Sequence, residues 1–273
     1  MRKIIVNLDS LFIYYFRFVM DRINNEWPKL QNPPVAIALL QLKFDPTAIP
    51  LDTFTKYDTA IKRELPNRRD NIQVGLDFKG VQIPIGKSTI TSQSDARVGA
   101  IVYFSNDQKV KLEFSDGTIT FTDERKYVDW DNFQNSAIHI FSLLSESLNN
   151  IEILRTSIRF INRFSLKDFT NPDEYFNTLI SHKEDQALPF PLRQYSFRLT
   201  MDVPDTDIYS IVNQSIENIR PDAYAYTLDI DVLDRQRMIF AESSLIEVLS
   251  GLRKIKNEIF FKTLTQKTLD LCN

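Results

Sequence analysis

RTSIRFINRF, residues Arg155–Phe164, is the most distinctive stretch of this chain and has the pattern of a β-strand. From Ile158 onward, alternate positions are mostly apolar, while the other alternate positions carry arginines. Successive side chains of a strand point to opposite faces of the sheet. The stretch therefore predicts a strand with one core face and one cationic face, and it begins a second pass through the order of elements seen in the first half.

The first half of the chain predicts a strand, a helix, a group of strands and a second helix. Val35–Phe44 is apolar on both alternating faces, as expected of a strand covered on both sides. An apolar stripe at helical spacing runs from Leu51 to Leu65 and ends before Pro66. Short β-branched and aromatic runs separated by turn residues follow at Ile72–Val128, and a second helical stripe runs from Phe133 to Leu148.

The second half repeats this order. After the strand come a helix near Pro172–Ile180, strands at Tyr195–Val203, Tyr209–Ile216 and Tyr224–Val232, and a helical stripe from Leu245 to Ile259. We therefore predict an α+β fold of two tandem β-α-β-β-β-α lobes with mainly antiparallel strands, which can share one saddle-like sheet. The lobes span residues 30–150 and 151–273, and residues 1–29 form an N-terminal extension or an extra strand.

Composition excludes several classes of protein. The chain has 273 residues, 43% hydrophobic and 25% charged, which is a globular profile. Its net charge of −3 argues against general affinity for nucleic acid. A single cysteine, Cys272, excludes an intramolecular disulfide framework and favours a cytoplasmic setting. The apolar run Leu11–Met20 is too short to cross a bilayer as a helix, so we expect no membrane segment.

No pattern in the sequence predicts a catalytic site, a metal site or a cofactor. Gly86-Lys87-Ser88 lacks the preceding glycine spacing of a phosphate-binding loop, which favours a β-turn. His139 and His182 have no metal ligands at suitable spacing. Asp229 and Asp231 share a strand face and could hold a cation, but an acidic rim is the commoner structure. We therefore lean towards a protein without enzymatic activity.

A candidate ligand site can still be placed on the cationic face. Arg155, Arg159 and Arg163, here called the arginine row, could bind carboxylates or phosphates of an extended partner through their bidentate forks. The alternative is that these arginines pair with acidic residues of neighbouring strands and only hold the fold together. Tyr127 and Trp130 are added as candidate ligand contacts, with a structural role as an aromatic anchor between the lobes as their alternative.

Four motif segments carry a resemblance to a known family. They are Asn32-Pro33-Pro34-Val35-Ala36-Ile37-Ala38-Leu39, Tyr127-Val128-Asp129-Trp130-Asp131-Asn132-Phe133, Arg155–Phe164, and Lys256-Asn257-Glu258-Ile259-Phe260-Phe261 with Leu264-Thr265. In this order, over residues 30–271, they resemble the sporadically distributed TIGR family of uncharacterised bacterial and archaeal proteins. This chain has Ile37-Ala38 where that family usually has an acidic residue, so no role is assigned to that strand.

The resemblance implies no specific activity. The patchy occurrence of that family implies an accessory or defence-associated gene. Its members typically begin shortly before the Pro-Pro element, which implies a true start at Met20 and an artificial extension over residues 1–19. Otherwise those residues add an edge strand.

The leading functional hypothesis is a non-catalytic binding or interaction protein that holds a protein partner or an anionic ligand. One alternative is nucleic-acid binding along a curved sheet, which requires the arginine row to merge with the basic cluster at Lys62–Arg69. The other alternative is a nucleotide or phosphoryl hydrolase, which requires a pocket that contains the arginine row together with Asp229 or Asp231.

Overall fold

One antiparallel sheet runs through the whole described part of the chain. The computed structural model describes residues 27–77, 93–167, 174–177, 194–220 and 223–273. Its strands are β1 (Val35–Phe44), β2 (Asn67–Asp77), β3 (Gln93–Phe104), β4 (Val110–Ser115), β5 (Thr118–Asp123), β6 (Glu152–Lys167), β7 (Gln194–Asp202), β8 (Ile208–Arg220), β9 (Ala223–Asp234) and β10 (Met238–Ile239). They form a ten-stranded sheet in the order β2-β3-β4-β5-β1-β6-β9-β8-β7, with β10 pairing to β6.

The helices account for most of the remaining described residues. They are a 3₁₀ helix (Leu51–Tyr57), α1 (Asp58–Glu64), α2 (Trp130–Ser142), α3 (Ser145–Leu148), α4 (Glu242–Thr263) and α5 (Gln266–Asp270). The α+β class with a mainly antiparallel sheet is therefore confirmed. Two predicted helices are interrupted: the stripe from Leu51 begins as a 3₁₀ helix, and the stripe from Phe133 to Leu148 is divided between α2 and α3.

The hydrophobic core lies between one face of the sheet and the helices. On β6, Ile158, Phe160 and Phe164 are buried, as the alternation in the sequence predicts. The ring of Phe160 lies 5.4 Å from that of Phe133 on α2, and Phe114 on β4 stacks on Phe54 of the 3₁₀ helix at 4.2 Å. From the second half, α4 packs on the same face through Lys256, which lies 4.5 Å from the Phe160 ring. One continuous cluster of buried side chains joins the helices of both halves.

The strand order is the same from the centre outward on both sides. β1 and β6, the first strands of the two halves, pair along most of their length. The last long strand of each half, β5 or β9, pairs with the first strand of its own half. The earlier strands then follow outward in reverse order. This arrangement gives the two halves one shared sheet, while the division into lobes at residues 30–150 and 151–273 stays a prediction.

Three sequence predictions fall partly or wholly outside the described residues. The N-terminal extension is described only from residue 27, and Gly86-Lys87-Ser88 lies in the undescribed range 78–92. Of the helix predicted near residues 172–180, only 174–177 are described, and Phe176 there forms a β-bridge with Leu264.

Candidate functional site

The arginine row lies on the face of the sheet opposite the described helices, here called the polar face. Arg159 and Arg163 are exposed and Arg155 is partly buried, whereas Phe160 and Asn162 between them are buried in the core. The predicted core face is thus confirmed. The opposite face is mixed rather than cationic, because Asp229 and Asp231 on β9 share it with the arginines. What each guanidinium can bind depends on its neighbours across the sheet.

The fork of Arg159 is occupied by a carboxylate of the chain itself. Its Nε donates to Oδ1 of Asp229 at 2.8 Å, and its Nη2 donates to Oδ2 at 2.7 Å. Asn213 on β8 donates to the same Oδ2 at 3.0 Å. The Asp229 side chain is only 8% exposed, and the pair raises the pKa of the Arg159 guanidinium. This geometry is the carboxylate pairing that the sequence left open as the alternative to ligand binding.

Arg155 is held by an amide instead. Its Nη2 donates to Oε1 of Gln41 on β1, and Gln41 in turn donates to Thr120 on β5 at 3.0 Å. The buried Nε of Arg155 and the buried Oδ1 of Asp231 each have no hydrogen-bond partner among the described residues. Burial raises the pKa of Asp231 to about 6, although the nearby Arg159 opposes that shift.

Arg163 differs from the other two arginines. Its backbone N–H donates to the carbonyl of Pro34 at 2.8 Å, and its exposed guanidinium has no ion pair with any residue that the structure describes. Among the described residues it is therefore the member of the row whose guanidinium has no ion-pair partner.

The basic cluster of the first half does not join the row. Lys62 pairs with Asp58 at 2.7 Å, and Arg68 forms a fork with Asp70 at 2.8 and 2.9 Å. Arg69 on β2 is separated from Arg159 on β6 by β3, β4, β5 and β1. Five strand spacings amount to about 24 Å. The two groups of cations therefore do not merge into one surface, which the nucleic-acid alternative requires.

The sheet separates Tyr127 and Trp130 from the arginine row. Both rings pack on the core side of Phe160, with centroid distances of 5.8 Å for Tyr127 and 6.2 Å for Trp130. The five residues predicted as one site are thus divided between the two faces of the sheet. The aromatic pair instead belongs to a cavity on the helix side.

All four motif segments reach this cavity, here called the motif cavity. It has a volume of about 310 Å³. Its lining includes Trp27, Pro33, Pro34, Tyr127, Trp130, Asp131, Asn162, Arg253, Lys256, Asn257, Phe260 and Phe261. Segments far apart in the chain therefore build one concave site, at the junction between β6, the start of α2 and the second half of α4.

Local geometry fixes the aromatic wall of the motif cavity. Asp129 caps α2, because its side chain accepts a hydrogen bond from the backbone N–H of Asn132 at 2.9 Å. This cap places Trp130 as the first residue of the helix, beside the cavity. Trp27 stacks on Phe261 of α4 with centroids 5.0 Å apart and planes 3° from parallel. Both tryptophans of the chain therefore line the same cavity.

Lys256 supplies an unpaired cation to the motif cavity. Its ammonium lies 4.5 Å from the centre of the Phe160 ring. No carboxylate of the described residues forms an ion pair with it. Burial lowers the pKa of Lys256 to about 7, and the nearby positive charge of Arg253 contributes to the same shift. Lys256 is half-buried by its accessible surface. A desolvated cation without a counter-ion among the described residues is uncommon, and such groups concentrate at functional sites.

Three polar groups accompany Lys256. Arg253 lies over the Trp130 ring at 5.4 Å and reaches Asp131 only at 4.0 Å. Asn162 donates its Nδ2 to the carbonyls of Phe160 and Leu228 at 3.3 and 3.0 Å, which leaves its Oδ1 as the acceptor for the cavity. Burial raises the pKa of Tyr127, so its hydroxyl stays protonated and can donate a hydrogen bond.

Lys256 is the residue that the sequence prediction missed. It stands four residues after Leu252 and three before Ile259, which is the spacing of the apolar stripe of α4. A lysine inside such a stripe is the signal that could have identified it.

Two further features are absent from the described residues. These residues contain no group of three or more His, Cys, Asp or Glu residues placed to hold a metal ion. Among them there is also no helix long and apolar enough to cross a membrane.

Comparison with known proteins adds no name to this site. No family model matches the chain, and no curated protein matches it either.

Proposed function

We propose that this chain is a non-catalytic binding protein that holds an anionic ligand in the motif cavity. The observation that carries the proposal is the ammonium of Lys256, which lies over Phe160 without a carboxylate partner among the described residues. An anion in the cavity would act as its counter-ion and favour its charged form. Binding would therefore raise the pKa of Lys256 and take up a proton near neutral pH.

The remaining lining supports an organic anion rather than a bare ion. Arg253 offers a planar fork for a carboxylate or a phosphate. The rings of Trp27 and Trp130 offer apolar surface for the rest of the molecule. A volume of about 310 Å³ is at the small end of ligand pockets. We therefore favour a small ligand, with an acidic side chain of a partner protein as the alternative occupant.

The proposed anion site lies in the motif cavity and not on the arginine row. Arg159 already binds Asp229, and Arg155 already binds Gln41. The exposed Arg163 remains available to a protein partner on the polar face. A cytoplasmic setting belongs to the same proposal and is supported by the single cysteine of the chain.

The test uses the tryptophans as reporters, since both line the motif cavity. Purified protein is titrated with small carboxylates and phosphate monoesters while tryptophan fluorescence is recorded. We expect at least one of these anions to change the emission in a saturable way. Lys256→Met should then weaken binding by about 10-fold or more, because the anion loses a buried charged partner.

Two control variants locate the site. Lys262→Met removes a lysine that is 75% exposed on the same helix, and Arg163→Met removes the free guanidinium of the polar face. Both should bind as the wild type does. Binding that survives Lys256→Met but is lost in Arg163→Met would instead place the site on the arginine row. Salt-dependent binding of nucleic acid with no response to any small anion would favour the nucleic-acid alternative.

A further inference from the structure

The motif cavity combines a lysine amine with an anion-binding fork one helical turn away. We propose that Lys256 forms a reversible imine with a small 2-oxo acid whose carboxylate is bound by Arg253. This inference rests on the proposed anion site and adds the chemical class of its ligand. It concerns a covalent binding step and requires no turnover.

The amine is placed to act as a nucleophile. Only an unprotonated lysine can attack a carbonyl carbon, and burial without a counter-ion favours that form. With a 2-oxo acid bound, the counter-ion of the carboxylate would be Arg253 rather than Lys256, so the amine can stay unprotonated. Lys256 meets this condition, since its only described partner is the ring of Phe160 at 4.5 Å. Lys262, two turns further along α4, does not meet it, because it is 75% exposed and pairs with Glu258 at 2.5 Å.

Arg253 is placed to hold the carboxylate. Residues three apart on a helix lie on the same side, with Cβ atoms about 5–6 Å from each other. In a 2-oxo acid the carboxylate and the reactive carbonyl are on adjacent carbon atoms, so one turn of helix can hold both groups. Arg253 has a loose partner in Asp131, at 4.0 Å and with a side chain 80% exposed, which a bound carboxylate can replace.

The reaction balances without an oxidant or a reductant. The nitrogen lone pair of Lys256 attacks the carbonyl carbon, a C–N bond forms, and the C=O electron pair moves to oxygen. A proton passes from nitrogen to that oxygen to give a carbinolamine. The hydroxyl then leaves as water with the remaining proton of the nitrogen, and the nitrogen lone pair forms the C=N bond. The Tyr127 hydroxyl can donate to the carbonyl oxygen, and Oδ1 of Asn162 can accept from the carbinolamine.

The experiment traps the imine on the full chain. Protein is incubated with pyruvate or phenylpyruvate and treated with sodium cyanoborohydride, which reduces an imine to a stable secondary amine. Peptide mass mapping then locates the modified lysine. We expect modification at Lys256 and far less at Lys262. Phenylpyruvate should react at lower concentration than pyruvate, because its ring can pack against the tryptophans of the cavity.

Variants test the roles of the two cations. Lys256→Arg keeps the charge and should abolish trapping. Arg253→Met should raise the pyruvate concentration needed for half-maximal trapping by about 10-fold, since it removes the carboxylate partner. Circular dichroism checks that each variant is folded. If a variant does not fold, the position of the label in the wild type still decides the question.

Matched 2-hydroxy acids separate this inference from the proposed function. Lactate and phenyllactate keep the carboxylate but have no carbonyl to react. If they bind like the 2-oxo acids by tryptophan fluorescence and no label appears at Lys256, the imine is refuted and the anion site stands. If neither class binds and no label appears, both proposals fail for these ligands. Label spread evenly over exposed lysines would also refute the imine.

Discussion

Asp229 on β9 accepts both arms of the Arg159 fork from β6, at 2.8 and 2.7 Å, with only 8% of its side chain exposed. The two residues are diagonal neighbours, because Arg159 lies directly opposite Asp231 while Asp229 lies opposite Ile161. This pair ties together two central strands on the polar face. It gives Arg159 a structural role that its neighbour in the row, Arg163, does not have.

We expect the two arginines to respond differently to replacement. Arg159→Ala leaves a buried carboxylate without its charged partner and should lower the free energy of unfolding by about 2 kcal/mol. Arg163→Ala removes an exposed side chain and should change it by less than about 0.5 kcal/mol. Urea denaturation at neutral pH measures both. Equal losses in the two variants would contradict the structural role assigned to Arg159.

Lys256 should make stability depend on pH between about 7 and 10.5. The pKa of Lys256 is about 7 in the folded protein, against 10.5 for an ordinary lysine. Between these values the unfolded chain therefore holds a proton that folded Lys256 has lost. The unfolded state binds more protons, so this group makes the wild type more stable as pH rises. Below pH 7 Lys256 is charged in the folded protein, and the free-energy cost of its desolvated charge is fully present.

Lys256→Met should therefore be more stable than the wild type at pH 6, by about 1–3 kcal/mol. The difference should shrink as pH approaches the ordinary lysine pKa. Thermal unfolding followed by circular dichroism at several pH values measures it, with Lys262→Met as the exposed control. A gain that does not vary with pH would show that the ammonium is not desolvated.

Asp231 should give the opposite dependence at lower pH. Its pKa is about 6 in the fold against an ordinary 3.8, so between these values the folded chain holds a proton that the unfolded chain has lost. This contribution makes the protein less stable as pH rises through the window.

Asp231→Asn removes that titration, so its stability relative to the wild type should grow by about 1–2 kcal/mol between pH 4 and pH 6.5. Urea denaturation at both pH values measures the change. Asp58→Asn serves as the comparison, because the pKa of Asp58 is shifted in the opposite direction. The hydrogen bond with Lys62 is the main cause that lowers the pKa of Asp58, so its contribution is lost as pH falls. If the difference in unfolding free energy between Asp231→Asn and the wild type does not change with pH, the burial of the Asp231 carboxyl is contradicted.

Two hairpin turns should differ in how much a substitution at their positive-φ residue changes stability. Gly117, between β4 and β5, has φ +70°, and an added Cβ would lie 2.7 Å from the carbonyl oxygen of Phe44. Gly117→Ala should cost about 2–4 kcal/mol through left-handed strain and this contact. Gln108, between β3 and β4, also has positive φ, at 60°. Gln108→Gly should stay within about 0.5 kcal/mol of the wild type, since strain relief and added chain entropy offset each other. Parallel urea denaturation of both variants provides the measurement.

Local patterns predict much of this fold because they follow directly from burial. The continuous apolar run Val35–Phe44 gives both ends of β1, but the predicted cover on both faces is not seen among the described residues: Ala38, Leu40, Leu42 and Phe44 are buried, while the alternate residues are only partly buried or exposed. The stripe from Leu51 did not distinguish a 3₁₀ helix from an α-helix, because over one or two turns a spacing of three residues fits both 3.0 and 3.6 residues per turn. The break at Leu143 and Leu144 was missed for a similar reason, as the apolar spacing continues across it.

The candidate site was harder to predict because it depends on distant parts of the chain. Alternation along β6 shows which face Arg159 occupies, but only the register with β9 brings Asp229 to its fork. Tyr127 and Trp130 were grouped with the arginines, and the sheet separates them. The motif cavity needs four segments to meet, and a single sequence does not show that they do.

The central position of β1 has a consequence for the order in which the chain is made. β1 pairs with β5 on one side and with β6 on the other, and the ribosome makes β6 last of the three. At roughly 5–20 residues per second, the free edge of β1 waits for seconds after β5 has emerged. During that time it is an apolar strand open to pairing with other nascent chains. A pause or truncation before β6 should therefore yield aggregates.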